Sequence, residues 1–559
     1  MENPQTTAAE AGSMAGGQSP VAKFAGINDP AIREFVSSIP HDFQQTAAIL
    51  AGAKFFAPDR VLQNRLALAS KAHSFHDGAQ TNSQRVQESI SRLQEPETLV
   101  LVATHQPNLF SYGGIFKKVI LLEALKSEVE RLSGGQVSIV NLFLVVDHDF
   151  LDETWIRVAQ LPSLQSSDGI MDLRLPIKES QRWKMVCNVM PPAHSVLSHW
   201  KSQLKNWIRS NSLTIAERRE LFGNLEDLWS EYEAAYADAR SYSDLNAFFM
   251  SRIVNARWNY STVFVRLSEL SQIFADGFTF LLANFRKYSE GLRRAERVCM
   301  AHGIDTGISA SSHLHAPLWL HCSCGSKTSP RLRAIGREMA LEGSCISCGK
   351  QLQLGLGDAD HIDIKESAGL LSPKAIPIPL LLAREIGISG YASGTGGLGY
   401  LVDGQVIAKE LGIKLPTTLL WASKDNYIGI GQREAAAVSS RLNDPIVSAI
   451  AALNGRHQRL ENLIRPLLQE RAAAVGTPGA MKDVLDRIFA LKQQQREIRS
   501  ELSGLTKVRN ILTLSPCFVD YAVNFGVEHS EMKWRKHLVE RGSLAGSVMM
   551  QAASVAAAS

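Results

Sequence analysis

Two polar clusters sit directly after apolar runs. Thr104-His105-Gln106-Pro107-Asn108 follows Leu99–Ala103, and Asp147-His148-Asp149 follows Leu142–Val146. Runs of β-branched residues and leucine read as strands buried on both faces. In an open α/β sheet, ligands bind beyond the carboxyl ends of such strands. Asp147, His148 and Asp149, joined by Asp152 and Glu153, crowd carboxylates around an imidazole, which is costly unless they face solvent, metal or substrate. The set suits holding a substrate ammonium, general acid–base work or Mg²⁺; the plain alternative is a solvated acidic loop. The first cluster precedes Gly113-Gly114 and a helix from Ile115 to Lys126. Backbone N–H groups and the helix dipole there favour phosphate or carboxylate. His105 is placed to donate to developing phosphate charge, with Thr104, Gln106, Asn108 and Glu153 as substrate-binding candidates; a structural hydrogen bonder is the plain reading of a histidine after a strand.

Cys322-Ser-Cys324 and Cys345-Ile-Ser-Cys348, each followed by glycine, form C-x-C, twenty residues, then C-x-x-C. Two short-spaced thiolate pairs in tight turns can place four sulfurs tetrahedrally around zinc. Four thiolates leave no open coordination position, so the metal is expected to be structural. His321 is adjacent and could compete as a ligand.

Gly394-Thr-Gly396-Gly-Leu-Gly399 contains G-x-G-x-x-G between an expected strand and helix. The acid expected about 20 residues later on a strand end is not clearly present. The motif therefore reads as a close backbone approach to a nucleotide, or as a plain tight turn. Lys424, past the next expected strand, is placed to reach phosphates, or lies in a surface loop.

These residues need a scaffold. The spacing predicts helices over Asp29–Glu95, a first half-core from 96 to 310 with a helical insertion and a strand at Ser261–Leu267, a zinc-ribbon-like insertion at 311–357, and a second half-core at 358–442. Trp200, Trp207, Trp229 and Trp258 read as packing between helices. Beyond Asn443, Val484, Ile488, Leu491, Ile498, Leu502 and Leu505 follow heptad spacing, and Leu460, Ile464 and Leu467 begin a similar seam. With the Gly476-Thr-Pro-Gly479 break, they predict an antiparallel coiled-coil hairpin over 443–530 and a possible homodimer through it. Residues 1–28 and 531–559 are expected to be tails.

The chain has 559 residues, 45% hydrophobic and 20% charged, with a net charge of +4. That length exceeds one core, and the balance is too weakly basic to argue for nucleic acid. The longest apolar stretch, Ala375–Ala383, is interrupted by prolines and falls far short of the roughly 20 residues of a membrane span. Seven cysteines, four in one pattern, do not make a secreted disulfide scaffold. A cytoplasmic location is expected.

The segments Leu93–Phe110, Asp147–Glu153, Ser372-Pro-Lys-Ala-Ile-Pro-Ile-Pro379 and Tyr391–Tyr400 together resemble the bacillithiol-biosynthesis cysteine-adding enzymes, the BshC family. The resemblance runs patchily from about residue 30 to 530. It implies an α/β fold: a split Rossmann-like parallel sheet related to class I aminoacyl-tRNA synthetases, with inserts and a coiled coil. It also implies ligation of L-cysteine to the amine of a glucosaminyl-malate acceptor, with ATP and magnesium as the substrate complex. The matches are incomplete: His105, Pro107, Val146, Ile378 and Gly397 stand where the family has glycine, glutamine, glutamate, arginine and glutamate. Lost charges near a polar acceptor alter what a site recognises. Two other readings are a non-catalytic binding module on a synthetase-like core, and a metal-dependent hydrolase or transferase using Asp147, His148 and Asp149.

Overall fold

The computed structural model describes residues 21–541 apart from 41, 309–310, 359–360, 422–426, 443 and 476–477. Its strands, in chain order, are β1 (Leu99–His105), β2 (Ile139–Val145), β3 (Val158–Pro162), β4 (Ile170–Arg174), β5 (Val263–Arg266), β6 (Leu318–His321) and β7 (Lys327–Thr328). They continue as β8 (Arg331–Ile335), β9 (Glu338–Ser344), β10 (Gln351–Asp358), β11 (His361–Ile362), β12 (Leu371–Pro373), β13 (Gly390–Gly394) and β14 (Thr417–Trp421).

Alternation along the apolar runs explains the central sheet. Leu99, Leu101 and Ala103 enter one core while Val100 and Val102 enter another. Phe143 and Val145 likewise oppose Leu142 and Leu144. Strands buried on both faces need cover on both, which parallel crossovers supply. The sheet has five parallel strands in the order β14-β13-β1-β2-β5, compatible with a Rossmann-like fold. The chain moves outward from β1 through β2 to β5, then returns to β1's other side as β13. Between β1 and β13 the strand order reverses, which makes a crevice at their carboxyl ends.

The four tryptophans are buried in the helices over one face, and Trp207 Nε1 donates to the Pro162 carbonyl at 2.8 Å. A three-stranded sheet, β12-β6-β7, and a four-stranded one, β11-β10-β9-β8, come between the halves of the main sheet in sequence. Helices Ile446–Ala473 and Pro478–Thr513 run antiparallel. Leu460 shares a core with Ile498, and Leu467 one with Val484 and Ile488. Among the described residues no helix is long and apolar enough to cross a membrane.

Several expected boundaries move. Of the tail expected over 1–28, the described part is instead packed: Phe24 and Ile27 are buried against the helix Leu398–Leu411. The expected 531–559 tail begins inside the helix Val527–Arg541, whose Trp534 and Leu538 join the main core. The hairpin stops at Thr513, and Phe518–Phe525 is a separate helix in the core. The preface at 29–95 is not one unit, for its helices divide among three cores. Charge patterning does not reveal such returns, because amphipathic helices look alike whichever surface they cover.

Candidate functional site

At the end of β1, Thr104 Oγ1 and the Tyr391 hydroxyl are 2.7 Å apart, bridging the strands that flank the crevice. Lys118 Nζ donates to the Thr104 carbonyl at 3.2 Å, and burial lowers its ammonium to about 8. Both nitrogens of His105 are engaged: Nδ1 lies 3.2 Å from the Gln106 carbonyl and Nε2 3.2 Å from the Tyr112 hydroxyl. Burial and Lys118 hold the ring neutral, at about 3. A neutral imidazole has one N–H, and a carbonyl only accepts, so Nδ1 donates and Nε2 accepts from Tyr112. His105 thus has no free N–H for a phosphate.

The helix start at Gly113 is no anion site either. A Cβ there would lie 2.9 Å from Tyr521 and 3.1 Å from Trp534, so returning C-terminal helices seal it. Gln106 is half-buried at the crevice. Asn108 is buried, and its Oδ1 has no partner among the described residues.

The carboxylates after β2 divide. Asp147 is fully buried and accepts from Ser268 N at 2.9 Å and Ser268 Oγ at 2.5 Å. Desolvation raises it to about 6 against those bonds. It ties β2 to the turn after β5, and does not reach a substrate. His148 is buried, its ring 5.0 Å from that of His321; burial first, then His321 and Lys327, hold it neutral. Asp152 is taken by Arg182 at 2.7 Å and Arg157 at 3.3 Å. Asp149 is 29% exposed and pairs with Lys327 Nζ at 3.6 Å. Glu153 sits on the rim, raised by partial desolvation and then by Asp149 and Asp152. Asp149 and Glu153 are therefore the outward-facing acids of the cluster.

Lys327 comes from the cysteine-bearing insertion. Leu318 and Leu320 of β6 enter the core, so the alternate residues Trp319 and His321 share the opposite face. Ser372 of β12 pairs with Trp319, and Lys327 of β7 with His321, which places all four on that face. It presses on the loop after β2: Lys327 Nζ lies 4.4 Å from the Trp319 ring and 4.9 Å from that of Phe150. His321 Nε2 is 2.8 Å from Ser372 Oγ, so it is not drawn into the cysteine cluster. Lys374 donates to Ser329 Oγ at 2.7 Å and lies 5.2 Å from the Trp319 ring; burial and Lys327 lower it to about 7.

The four cysteines converge, with all ligand atoms within 4.8 Å of one another. Cys322 and Cys348 sulfurs are 3.7 Å apart and those of Cys324 and Cys345 3.6 Å. A tetrahedron of Zn–S bonds of about 2.3 Å has edges of about 3.8 Å, so the cluster fits zinc. Gly325 and Gly349 take φ of +87° and +72°, the left-handed turn each pair needs. Among the described residues this is the one group of three or more metal-ligating side chains so arranged.

The glycine motif behaves differently from a nucleotide fingerprint. Neither Gly394 nor Gly399 has a positive φ. Gly399 is needed because a Cβ would meet the Thr306 carbonyl oxygen at 2.9 Å, a close approach of protein and not of nucleotide. Gly394 meets nothing within 4 Å and opens on the crevice at the end of β13. Gly396 is exposed. Lys424 lies outside the described residues. Tyr400, on the helix that follows, lies within the field of Asp149 and Glu153; burial first, then Asp149, raises its phenol.

Sequence reading missed Lys327, Lys374, Trp319, Tyr391 and Tyr400. The alternation Leu-Trp-Leu-His before the C-x-C turn was a signal for the first, since a hairpin there sets Lys327 opposite His321. Compared with protein-family models and with curated proteins, the chain matches none.

Proposed function

We propose that the protein is an amide-forming ligase that joins an activated amino acid, cysteine or a relative, to an amine such as that of a glucosaminyl-malate-like amino sugar. The observation that carries this reading is Asp149, a partly exposed carboxylate just past a parallel strand, held from behind by a buried lysine. Donor and acceptor identities rest on the resemblance to the cysteine-adding enzymes.

In this reading ATP, with magnesium, enters the crevice between β1 and β13, over Gly394 and beside Gln106. The donor carboxylate attacks the α-phosphorus, releasing pyrophosphate and leaving an acyl adenylate. The acceptor nitrogen then forms the amide bond as the acyl C–O bond to AMP breaks. The amine must shed a proton, and Asp149 takes it or holds the ammonium until it leaves; Glu153 supplies a second acceptor. No protein nucleophile is needed, so the work is orientation and charge placement. Lys118, whose ammonium burial lowers to about 8, donates to the Thr104 carbonyl at the end of β1 and puts positive potential beside the crevice. Zinc on the four cysteines is structural.

The hydrolase reading loses its ligands, because Ser268 occupies the Asp147 carboxylate and His148 packs on His321. The deciding experiment incubates purified protein with ATP, amino acids and amino-sugar acceptors and follows masses. A mass gain on an acceptor, with AMP formed in step and lost in Asp149→Asn, supports the ligase. ATP left intact across the whole panel rejects it.

A further inference from the structure

The four cysteines stand beside the reaction centre, yet two separate paths join them to Asp149. The first is backbone. The Cys322–Gly325 turn is closed by Gly325 N donating to the Cys322 carbonyl at 3.0 Å and Cys322 N to the Ser326 carbonyl at 2.8 Å. The left-handed Gly325 aims its carbonyl at the turn Val186–Asn188, where it accepts from Met185 N at 2.9 Å and Asn188 Nδ2 at 3.2 Å. The amides of that same turn hold the acidic loop: Val186 N donates to the Asp149 carbonyl at 2.9 Å and Cys187 N to the Asp147 carbonyl at 3.1 Å. The second path is a side chain. Lys327, three residues past Cys324, reaches the Asp149 carboxylate at 3.6 Å.

We propose that the metal site of Cys322, Cys324, Cys345 and Cys348 positions the reaction centre, fixing the 322–327 turn so that Gly325 holds the backbone of Asp149 and Lys327 its carboxylate. The turn needs the metal. β12 anchors β6, but only two residue pairs, Leu320 with Thr328 and His321 with Lys327, tie β7 to it, so the ladder alone does little to fix the turn between them. Metal binding to thiolates is folding energy for the segment that carries them. Without it the Gly325 carbonyl drifts, its two donors lose their acceptor, and the buried ammonium of Lys327 has a route to water. Lys327 is thus a positioning residue acting through Asp149, and the metal reaches the site without touching substrate.

The inference rests on the functional reading only in taking Asp149 as the working acid, and its test reads backbone protection instead of turnover, so the two fail separately. The full chain, zinc-loaded and chelator-stripped, is compared by hydrogen exchange and by lysine acetylation. Stripping should speed exchange roughly tenfold or more in peptides covering 147–153 and 184–189, and make Lys327 acetylatable. Strand β1 and Lys118 should stay protected. Deprotection confined to 318–358 overturns the proposal. Should stripping unfold the chain throughout, Lys327→Met decides, since it leaves the four thiolates in place. At unchanged zinc content its exchange over 147–153 should rise and return toward the original in Lys327→Arg. Unaltered exchange there in Lys327→Met overturns the coupling.

Discussion

Asp147 and Asp149 are two residues apart and do opposite work, because the chain bends between them. Asp147 is spent on Ser268, whereas Asp149 keeps an oxygen toward solvent and leans on Lys327. Asp149→Asn should lower ligation about 10²-fold or more if that carboxylate takes the acceptor's proton. A freely solvated loop would tolerate the change. Here a buried lysine is left unpaired, so the cost should be about 1–3 kcal/mol, below that of breaking a fully buried pair because Asp149 is partly hydrated. Thermal melting and turnover measured together check it, and full activity would move the chemistry elsewhere. Lys374 yields a pH prediction. Its amine falls from an ordinary 10.5 to about 7 in the folded protein. Between those values the unfolded chain holds a proton that the folded one lacks, so stability rises with pH across that window. Lys374→Met, which has no amine to bury, should gain on the parent below about pH 7 and lose that advantage toward pH 10. A gap between the melting curves that does not vary with pH would show that this lysine is not desolvated. Neither lysine's burial was legible in the sequence, since a lone Lys in a β-rich insertion, or just past a short strand, looks like surface. The convergence of the four cysteines was legible, because spacing within tight turns is local information, as was the place of Asp149 just past a strand.

The elements divide in the same way. Strands β1, β2 and β5 were readable because burial on both faces forces apolar runs, whereas β13, Gly-Tyr-Ala-Ser-Gly, carries no such run and was placed only by the glycine motif after it. The hairpin was readable from its seam, whereas its docking was not. The helix Pro478–Thr513 meets the β3–β4 turn at Gly169, where a Cβ would stand 2.7 Å from the Lys507 carbonyl and φ is +89°. Val508 and Ile511 pack there with Ala435 and Leu164. Gly169→Ala therefore combines a forbidden backbone angle with a clash that rigid main chain cannot relieve. Gly135→Ala shares the first fault alone, having φ of +80° and nothing within 4 Å. Gly135→Ala should cost about 1–2 kcal/mol, and Gly169→Ala more, with faster proteolysis at the base of the hairpin. Equal losses in urea unfolding would mean that the hairpin does not rest on this turn.

Across the whole molecule the candidate site is assembled from segments far apart in sequence. Asp149 comes from the first half of the sheet, Lys327 from the insertion, and Tyr391 and Tyr400 from the second half, while Tyr521 and Trp534 of the C-terminal helices seal the start of the first crossover helix. Such convergence follows from strand order, which brings β13 back beside β1 after two long excursions. The order also tells which glycine of 394–399 borders the crevice. Gly399 is pressed on the Thr306 backbone, while Gly394 ends β13 at the crevice with nothing within 4 Å. Gly399→Ala should therefore destabilise the chain by about 1–3 kcal/mol, the usual cost of overpacking, leaving the activity of the folded fraction unchanged. Gly394→Val should do the reverse. Its melting should shift by less than about 0.5 kcal/mol, as at an open position, while the KM for ATP rises because the branched side chain fills the space in which the backbone meets the nucleotide. Steady-state kinetics beside thermal melts separates the two. An unaltered KM in Gly394→Val would place the nucleotide away from the β1–β13 reversal, and with it the adenylate step.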